Sequence, residues 1–246
     1  MTELIPHPSA LIESMRNMGY RPHTALADLV DNSITAGSKN VSIECSPSFG
    51  KQLGWVRVVD DGGGMNKKEL FEAMRWGGNG PNTKRNPKDL GRFGLGLKTA
   101  SFSMGKRLTV VSKKAGKISV LSWDLDAICK TGKWFPIKDV HKNDIQYLKG
   151  TLYDSELPGT NGTVVLITNL DKLKVDGRTK AAEEKNKSDL IETISGHLRL
   201  VFHRFIERKN LKLKFGASQL KALNLLGFSG EAEEPSWQKH EETFFN

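Results

Sequence analysis

The order of predicted elements along the chain is the feature that most restricts its fold. Helical patterns predominate early in the sequence and strand patterns late, and the two do not alternate regularly. Regular alternation is typical of a parallel, doubly wound sheet, whereas a segregated order is typical of helices packed on a mostly antiparallel sheet. The sequence therefore predicts an α+β sandwich.

Hydrophobic periodicity predicts the individual elements. A helix is predicted at 24–36, with an apolar stripe and a stop at Gly37. A long amphipathic helix is predicted at 190–207, and the charged segment 171–188 is typical of a surface connection. The remaining predictions are helices at 9–18, 67–75 and 95–104, and strands at 41–45, 55–60, 107–112, 117–123, 163–168 and 211–215.

The positive charge is concentrated in one segment. The chain has 246 residues and a formal net charge of +9. Residues 81–117 contain ten basic residues and one acidic residue, so this segment alone accounts for the excess. A local basic region is typical of a protein that binds nucleotide phosphates or a nucleic-acid backbone, and it is equally compatible with a solvated surface that has no specific partner.

Composition excludes several classes of protein. No apolar run approaches the roughly 20 residues that span a bilayer. The N-terminus lacks the basic and apolar regions of a signal peptide. We therefore expect no membrane partner and a cytoplasmic protein, or a nuclear one if the source is eukaryotic. Two cysteines, Cys45 and Cys129, are too few for a disulfide framework or a zinc site, and we expect two buried or half-buried thiols in a reducing cytoplasm.

The first of four motifs is ADLVDN at 27–32. Asp28 and Asn32 are four residues apart, so they share one face of the predicted helix, and Asp31 lies nearby. A carboxylate and an amide on one face suit a base that polarises water beside a Mg²⁺ ligand. An ordinary polar helix face explains the same pattern.

The second and fourth motifs surround predicted strands. DDGGGM at 60–65 places Asp60 at a strand end, where it can accept a hydrogen bond from an exocyclic amine. Gly62 and Gly64 allow a flat ligand to approach the backbone, although a tight hairpin turn also uses such glycines. GTVVLITNL at 162–170 is typical of a buried strand, with the hydroxyl of Thr163 near its start.

The third motif is GRFGLGLKTAS at 91–101. Three glycines precede a helix whose free backbone amides form an anion site, and Lys98 adds a positive charge. The motif is neither a P-loop nor a Rossmann fingerprint, because both the GK[ST] and the GxGxxG patterns are missing. A flexible loop that enters a helix remains the alternative interpretation.

Together, and in this order, the four motifs resemble the GHKL ATPase superfamily of gyrase-type topoisomerases, Bergerat-fold chaperones, histidine kinases, MutL and MORC-type ATPases. The MORC-like and MutL-like members are the nearest, because Lys98 follows the glycines. The resemblance implies the Bergerat ATP-binding fold, with helices on a mixed, mostly antiparallel sheet. It implies an ATP-binding domain at 1–215 with a lid near 76–92, and a C-terminal tail or the start of a following domain at 216–246.

The resemblance also implies roles for individual residues. Asp28 would be the general base, although the family usually has the longer Glu there, and Asp31 competes for that role. Asn32 would hold Mg²⁺ against the phosphates. Asp60 would accept a hydrogen bond from the adenine amino group, supported through water by Thr163. The other implied nucleotide contacts are Ala36, Gly62, Gly64, Met65, Asn79, Gly91, Phe93, Gly94, Leu95, Gly96, Leu97 and Lys98.

The function that the resemblance implies is Mg²⁺-dependent ATP binding with slow hydrolysis, acting as a nucleotide-driven conformational or dimerisation switch. The implied cofactors are ATP and Mg²⁺. The implied partners are a second copy of the chain in an ATP-dependent homodimer, and DNA or a larger complex held through segment 81–117. Two alternatives stay open: a regulatory module that binds nucleotide without turnover, and a nucleic-acid-associated module that uses segment 81–117.

Overall fold

A seven-stranded mixed sheet forms the frame of the computed structural model, and α-helices pack on it. The structure describes residues 8–17, 19–50, 52–76, 96–151, 153, 159–177 and 179–223. The predicted α+β class is confirmed. Within these ranges, no helix combines the length and the apolar character needed to cross a membrane.

The helices and strands of the described ranges are numbered separately in chain order. The α-helices are α1 Pro8–Arg16, α2 Pro22–Thr35, α3 Lys67–Met74, α4 Gly96–Phe102, α5 Leu125–Thr131, α6 Lys180–Val201 and α7 His203–Glu207, and a 3-10 turn spans Ile145–Leu148. The strands are β1 Asn40–Ser46, β2 Trp55–Asp60, β3 Arg107–Lys114, β4 Lys117–Asp124, β5 Gly162–Thr168, β6 Lys212–Phe215 and β7 Ser218–Gln219.

The strands follow the order β4-β3-β5-β2-β1-β6-β7 across the sheet. All neighbours are antiparallel except β1 and β6, which are parallel. The register pairs Asp60, at the end of β2, with Thr163 on β5. The second and fourth sequence motifs therefore lie side by side at one end of the sheet.

Alternation along the strands divides the apolar side chains between the two sheet faces. On β5, Val165 and Ile167 join the main core with the helices. Val164 and Leu166 belong to a second cluster that contains Leu148 of the 3-10 turn. The helices thus cover one face, and the segment after α5 covers part of the other.

The predicted helix at 24–36 is present as α2 and begins two residues earlier. Pro22 stands in its first turn, where the missing N–H of proline costs nothing because the first amides of a helix lack partners within it. Gly37 follows the helix with φ +79°, as the predicted stop requires. The strand predicted at 55–60 has the same bounds as β2.

The surface connection predicted at 171–188 is wrong in its second half, where α6 begins at Lys180. The side chain of Thr179 caps this helix by accepting a hydrogen bond from the backbone N–H of Ala182. The sequence analysis did not predict the first turns of α6, because these residues are mostly charged and too few apolar residues indicate a buried face. The single helix predicted at 190–207 is also wrong, since α6 ends at Val201 and α7 begins at His203.

Three short elements escaped the sequence analysis: α5, the 3-10 turn and β7. A local signal for α5 was present, because the side chain of Asp124 accepts hydrogen bonds from the backbone N–H groups of Asp126 and Ala127. β7 pairs with β6, so the sheet extends beyond residue 215. Cys45 and Cys129 are both free thiols; Cys45 is half-buried as expected, whereas the burial expected for Cys129 is wrong, because this residue lies on an exposed part of α5.

Candidate functional site

Helix α2 presents the first motif on its polar side. Leu26, Leu29 and Val30 are buried in the core. Asp28 is half-buried and Asn32, one turn later, is exposed. The apolar residues of the helix thus fix which side chains remain accessible to a ligand.

A tyrosine that the sequence analysis did not single out holds the carboxylate of Asp28. The hydroxyl of Tyr20 donates a hydrogen bond to Oδ2 of Asp28 at 2.5 Å. Burial, together with the Asp28 carboxylate, raises the pKa of Tyr20 to about 12, while a hydrogen bond with the Thr99 side chain opposes the rise. Tyr20 therefore stays protonated, and remains a donor, throughout the neutral pH range.

The N-terminal end of α4 lies beside the same carboxylate. A Cβ atom built on Gly96 would be 3.9 Å from Oδ2 of Asp28. The fold thus brings the last glycine of the third motif to the first motif. Leu97 is half-buried against the core. Asn79, Gly91, Phe93, Gly94 and Leu95, which the sequence analysis assigned to nucleotide contacts, lie outside the described residues.

Lys98 is buried, with 1% of its surface exposed. Its Nζ donates to the backbone carbonyl of Ala73 at 2.7 Å, near the C-terminal end of α3. Burial lowers the pKa of Lys98 to about 8. The ammonium has two further N–H donors, so a phosphate contact by Lys98, as the sequence analysis predicts, is compatible with this bond, and that role stays a prediction.

Asp31 lies near enough to Asp28 for the two charges to interact. Burial, together with the negative charge of Asp28, raises the pKa of Asp31 to about 6. Asp31 is thus partly protonated a little below neutral pH. Asp28, rather than Asp31, has the tyrosine donor and the neighbouring glycine.

Asp60 is buried at the end of β2, as the second motif predicts, and α2 contacts it. Oδ2 accepts a hydrogen bond from Oγ of Ser33 at 3.1 Å, and Oδ1 accepts one from the backbone N–H of Gly62 at 2.9 Å. Burial raises the pKa of Asp60, while the bonds from Gly62, Ser33 and the backbone of Thr163 oppose the rise. The sequence analysis overlooked Ser33, although it directly follows Asn32.

Two glycines after β2 are required by backbone packing within the protein. A Cβ on Gly62 would lie 2.9 Å from Cβ of Ala36, and the backbone N–H of Gly63 bonds the carbonyl of Ala36 at 2.9 Å. Gly64 has φ +65°, and a Cβ there would lie 1.9 Å from the carbonyl oxygen of Lys113. These glycines have a structural role whether or not a ligand also approaches them.

A pair of hydroxyls supports the Asp60 end of the site. Oγ of Ser112 on β3 lies 2.9 Å from Oγ1 of Thr163 on β5, and both residues are buried. The backbone N–H of Met65 donates to the same Ser112 hydroxyl at 2.7 Å. Ser112 thus joins the loop after β2 to the strand that carries Thr163, a link that no local pattern in the sequence indicates.

Comparison with known proteins decides the family. Residues 20–156, more than half of the chain, match the family described as histidine kinase-, DNA gyrase B- and HSP90-like ATPase. The chain belongs to this ATPase family. The resemblance predicted from the four motifs is confirmed, and the chain therefore contains a GHKL ATPase domain.

Several curated proteins are similar to this ATPase domain. ATPase morc-1 from Caenorhabditis elegans is 26% identical over 207 residues, covering 69% of this chain and 23% of that protein. ATPase MORC2B from Mus musculus is 26% identical over 196 residues, covering 68% and 19%. The chaperone protein HtpG from Rickettsia canadensis is 28% identical over 138 residues, covering 52% and 20%. The chain thus spans about a fifth of the length of these relatives.

The oxygen atoms that the ATPase domain offers near Asp28 suit a metal ion that is coordinated mainly by substrate phosphates and water. Among the described residues, no group of three or more His, Cys, Asp or Glu side chains could hold a metal ion. Mg²⁺ is usually bound by one or two protein oxygens together with substrate phosphates and waters. The exposed amide of Asn32 near Asp28 fits that arrangement.

The basic segment 81–117 is largely committed to contacts within the ATPase domain, as far as the structure describes it. Arg107 pairs with Asp124 at 2.8 Å and Asp144 at 3.2 Å. The remaining internal pairings in this segment are Lys98 with the Ala73 carbonyl, Lys106 with Asp126, and Lys114 with Glu69. This half of the segment therefore lacks a continuous row of unpaired cations for a nucleic-acid backbone.

An apolar cavity of about 540 Å³ lies between α1, α3 and β4, and Trp76, the first residue of the predicted lid, is among its lining residues. Its wall includes three tryptophans, Trp76, Trp123 and Trp134. Of the residues assigned to nucleotide binding, those that the structure describes do not line this cavity.

Proposed function

We propose that this ATPase domain binds Mg-ATP along α2, between the loop after β2 and the start of α4, and hydrolyses it slowly. The observation that carries the proposal is that α2, which bears the first motif, lies against both the second and the third motif. Ser33 bonds Asp60 at 3.1 Å, and Asp28 lies beside Gly96. The candidate groups for adenine, near Asp60, and for the phosphates, near Asp28, thus lie along one helix.

Asp60 is the proposed reader of the adenine amino group. A carboxylate offers about four lone-pair sites. Two of them accept hydrogen bonds, from the Gly62 backbone N–H at 2.9 Å and from the Ser33 hydroxyl at 3.1 Å. A remaining lone pair supports recognition of the adenine amino group. A purine with a carbonyl at the same position would instead place one acceptor against another.

Asp28 is the proposed general base at the other end of the site. Its carboxylate would accept a hydrogen bond from the water that attacks the γ-phosphate in line. Asn32, one turn further along α2, would hold Mg²⁺, which neutralises charge on the phosphates when it is bound. Asp28 is one methylene shorter than the family's usual Glu, which supports slow turnover.

The nucleotide is further proposed to act as a switch that brings two copies of the domain together. Support comes from the position of Asp28 beside the start of α4. A nucleotide that contacts Asp28 would therefore also lie next to this helix. The relatives described above, which are ATPases and a chaperone, fit a nucleotide-driven switch.

Single-turnover hydrolysis with variants of α2 tests the proposal. Asp28→Asn should bind ATP with parental affinity and lose about 10²- to 10⁴-fold in rate, the usual contribution of a positioned base. Asp28→Glu should retain or raise the rate, because Glu restores the reach common in the family. Asp31→Asn is the matched control and should lose less than Asp28→Asn. Equal rates for Asp28→Asn and the parent would replace this proposal with a nucleotide-binding module that lacks turnover.

The Mg²⁺ part of the proposal has its own variant. Asn32 is exposed, so Asn32→Ala should fold normally. Its ATP affinity should be the same in Mg²⁺ and in EDTA, whereas the parent should bind more tightly in Mg²⁺. Calorimetric titration under both conditions measures this ratio. A variant that keeps the parental ratio would exclude Asn32 as a Mg²⁺ ligand.

A further inference from the structure

We infer that Tyr20 is a positioning residue for ATP hydrolysis, because its hydroxyl fixes Oδ2 of Asp28 and leaves Oδ1 to accept a hydrogen bond from the attacking water. This inference rests on the proposed function. The oxygen–oxygen distance of 2.5 Å lies at the short end of the range for a hydroxyl bonded to a carboxylate. Tyr20 lies outside the four motifs, in the turn that precedes α2.

The tyrosine is built to act as a donor. Tyr20 is half-buried, and its hydroxyl is protonated near neutral pH, as for any tyrosine with the ordinary pKa of 10; burial, together with Asp28, raises the pKa of Tyr20 further, to about 12. The Thr99 side chain interacts with the same hydroxyl. Since Thr99 belongs to α4, and α4 begins beside Asp28, the tyrosine links Asp28 to the helix that contains the second half of the third motif.

The hydrogen bond has a catalytic consequence because Asp28 is short. An aspartate has less reach than a glutamate, so only a narrow set of carboxylate orientations would place an oxygen near the attacking water. Fixing one oxygen selects an orientation in advance and removes the entropic cost of finding it during the reaction. A role confined to bracing α2 would instead affect the folding stability and leave the rate per folded molecule unchanged.

Tyr20→Phe removes only the hydroxyl and tests the inference. The single-turnover rate of bound Mg-ATP should fall about 10- to 100-fold, the scale of a lost positioning contact. The dissociation constant for ATP should change less than about twofold, since the hydroxyl is proposed to contact Asp28 and not the nucleotide. Tyr147→Phe is the matched control: Tyr147 packs on Trp55 in the second apolar cluster, and its variant should keep the parental rate.

A double variant separates positioning from a general loss of structure. In the Asp28→Asn background, adding Tyr20→Phe should cause no further loss of rate, because the two residues act as one unit. If Tyr20→Phe folds poorly, Thr99→Val provides a second test, with an expected fall of a few-fold in rate at unchanged affinity.

The outcomes distinguish the two proposals. A parental rate for Tyr20→Phe, or an equal loss with and without Asp28, would overturn the positioning role and leave the general base intact. A parental rate for Asp28→Asn alone would overturn the proposed base and the positioning role together. Rate loss in Tyr20→Phe that disappears in the Asp28→Asn background, at constant affinity, supports the inference.

Discussion

At the scale of single residues, two neighbouring aspartates differ because of what surrounds them. Partial burial opposes ionisation of Asp61, but bonds from the Ser38 and Asn40 side chains and from the backbones of Lys39 and Asn40 lower the pKa of Asp61 to about 2. Asp60 is more deeply buried, and its pKa is raised. Asp61 therefore anchors the start of β1, while Asp60 is the carboxylate that we propose contacts adenine.

Asp60→Asn should weaken ATP binding by about 10- to 100-fold. The amide would place a donor where the adenine amino group needs an acceptor, and a buried mismatch of this kind costs about 1–3 kcal/mol. Calorimetric titration measures the loss. Asp126→Asn is the control, because Asp126 is exposed on α5 and pairs with Lys106. Parental ATP affinity in Asp60→Asn would mean that Asp60 does not bind the adenine amino group.

Asp31→Asn should stabilise the protein at alkaline pH. The pKa of Asp31 in the folded state, about 6, exceeds its ordinary value of 3.8, so the folded state binds the proton more tightly than the unfolded chain does. The contribution of Asp31 to stability is therefore greatest at acid pH and is lost as the pH rises through about 6. Because the group is half-exposed, solvent screening reduces the expected gain to about 1 kcal/mol at pH 8.

Urea unfolding of the parent and of Asp31→Asn at pH 8 and pH 4 measures this effect. The variant should be the more stable protein at pH 8 and nearly equal to the parent at pH 4. The same difference at both values would show that the charge on Asp31 is not its cause.

At the scale of elements, the loop after β2 is held by backbone contacts that allow no side chain. Gly64→Ala should lower the free energy of unfolding by more than about 3 kcal/mol, since it combines strain at positive φ with a collision against β3. Gly116→Ala is the matched control. Gly116 has φ +76° in the turn between β3 and β4, with no atom within 4 Å of an added Cβ. Its variant should lose only about 1 kcal/mol.

Urea unfolding followed by circular dichroism compares the two glycine variants. A Gly64→Ala protein as stable as Gly116→Ala would contradict the close approach between this loop and the Lys113 carbonyl. Since Gly64 borders the proposed adenine pocket, the folded fraction of its variant should also bind ATP more weakly.

At the scale of the whole molecule, nucleotide should shift the domain from monomer to dimer. Any ligand that binds one assembly better than another shifts the population toward it. Sedimentation velocity with a non-hydrolysable ATP analogue and Mg²⁺ should show a dimer, and the same sample in EDTA should show a monomer. Asn32→Ala should remain monomeric under both conditions. A parent that stays monomeric with saturating analogue would remove dimerisation from the proposal.

Local patterns were sufficient to predict much of the frame. The alternation in WVRVVD predicted β2, and the three glycines after it placed Asp60 at a strand end. Helical periodicity predicted α2, with Asp28 and Asn32 outside its apolar stripe. Patterns of this kind act within a few residues, so they are readable without knowing where other segments lie. They failed where charged residues masked a helix, as at the start of α6.

The partners of the site residues were decided by tertiary structure. Tyr20 meets Asp28, Ser33 meets Asp60, and Lys98 meets the carbonyl of Ala73. Each bond depends on which elements pack together and at what distance. That packing follows from burial summed over the core, and no short segment encodes it. The sequence therefore determined which chemical groups are available and on which elements, and the fold decided which of them touch.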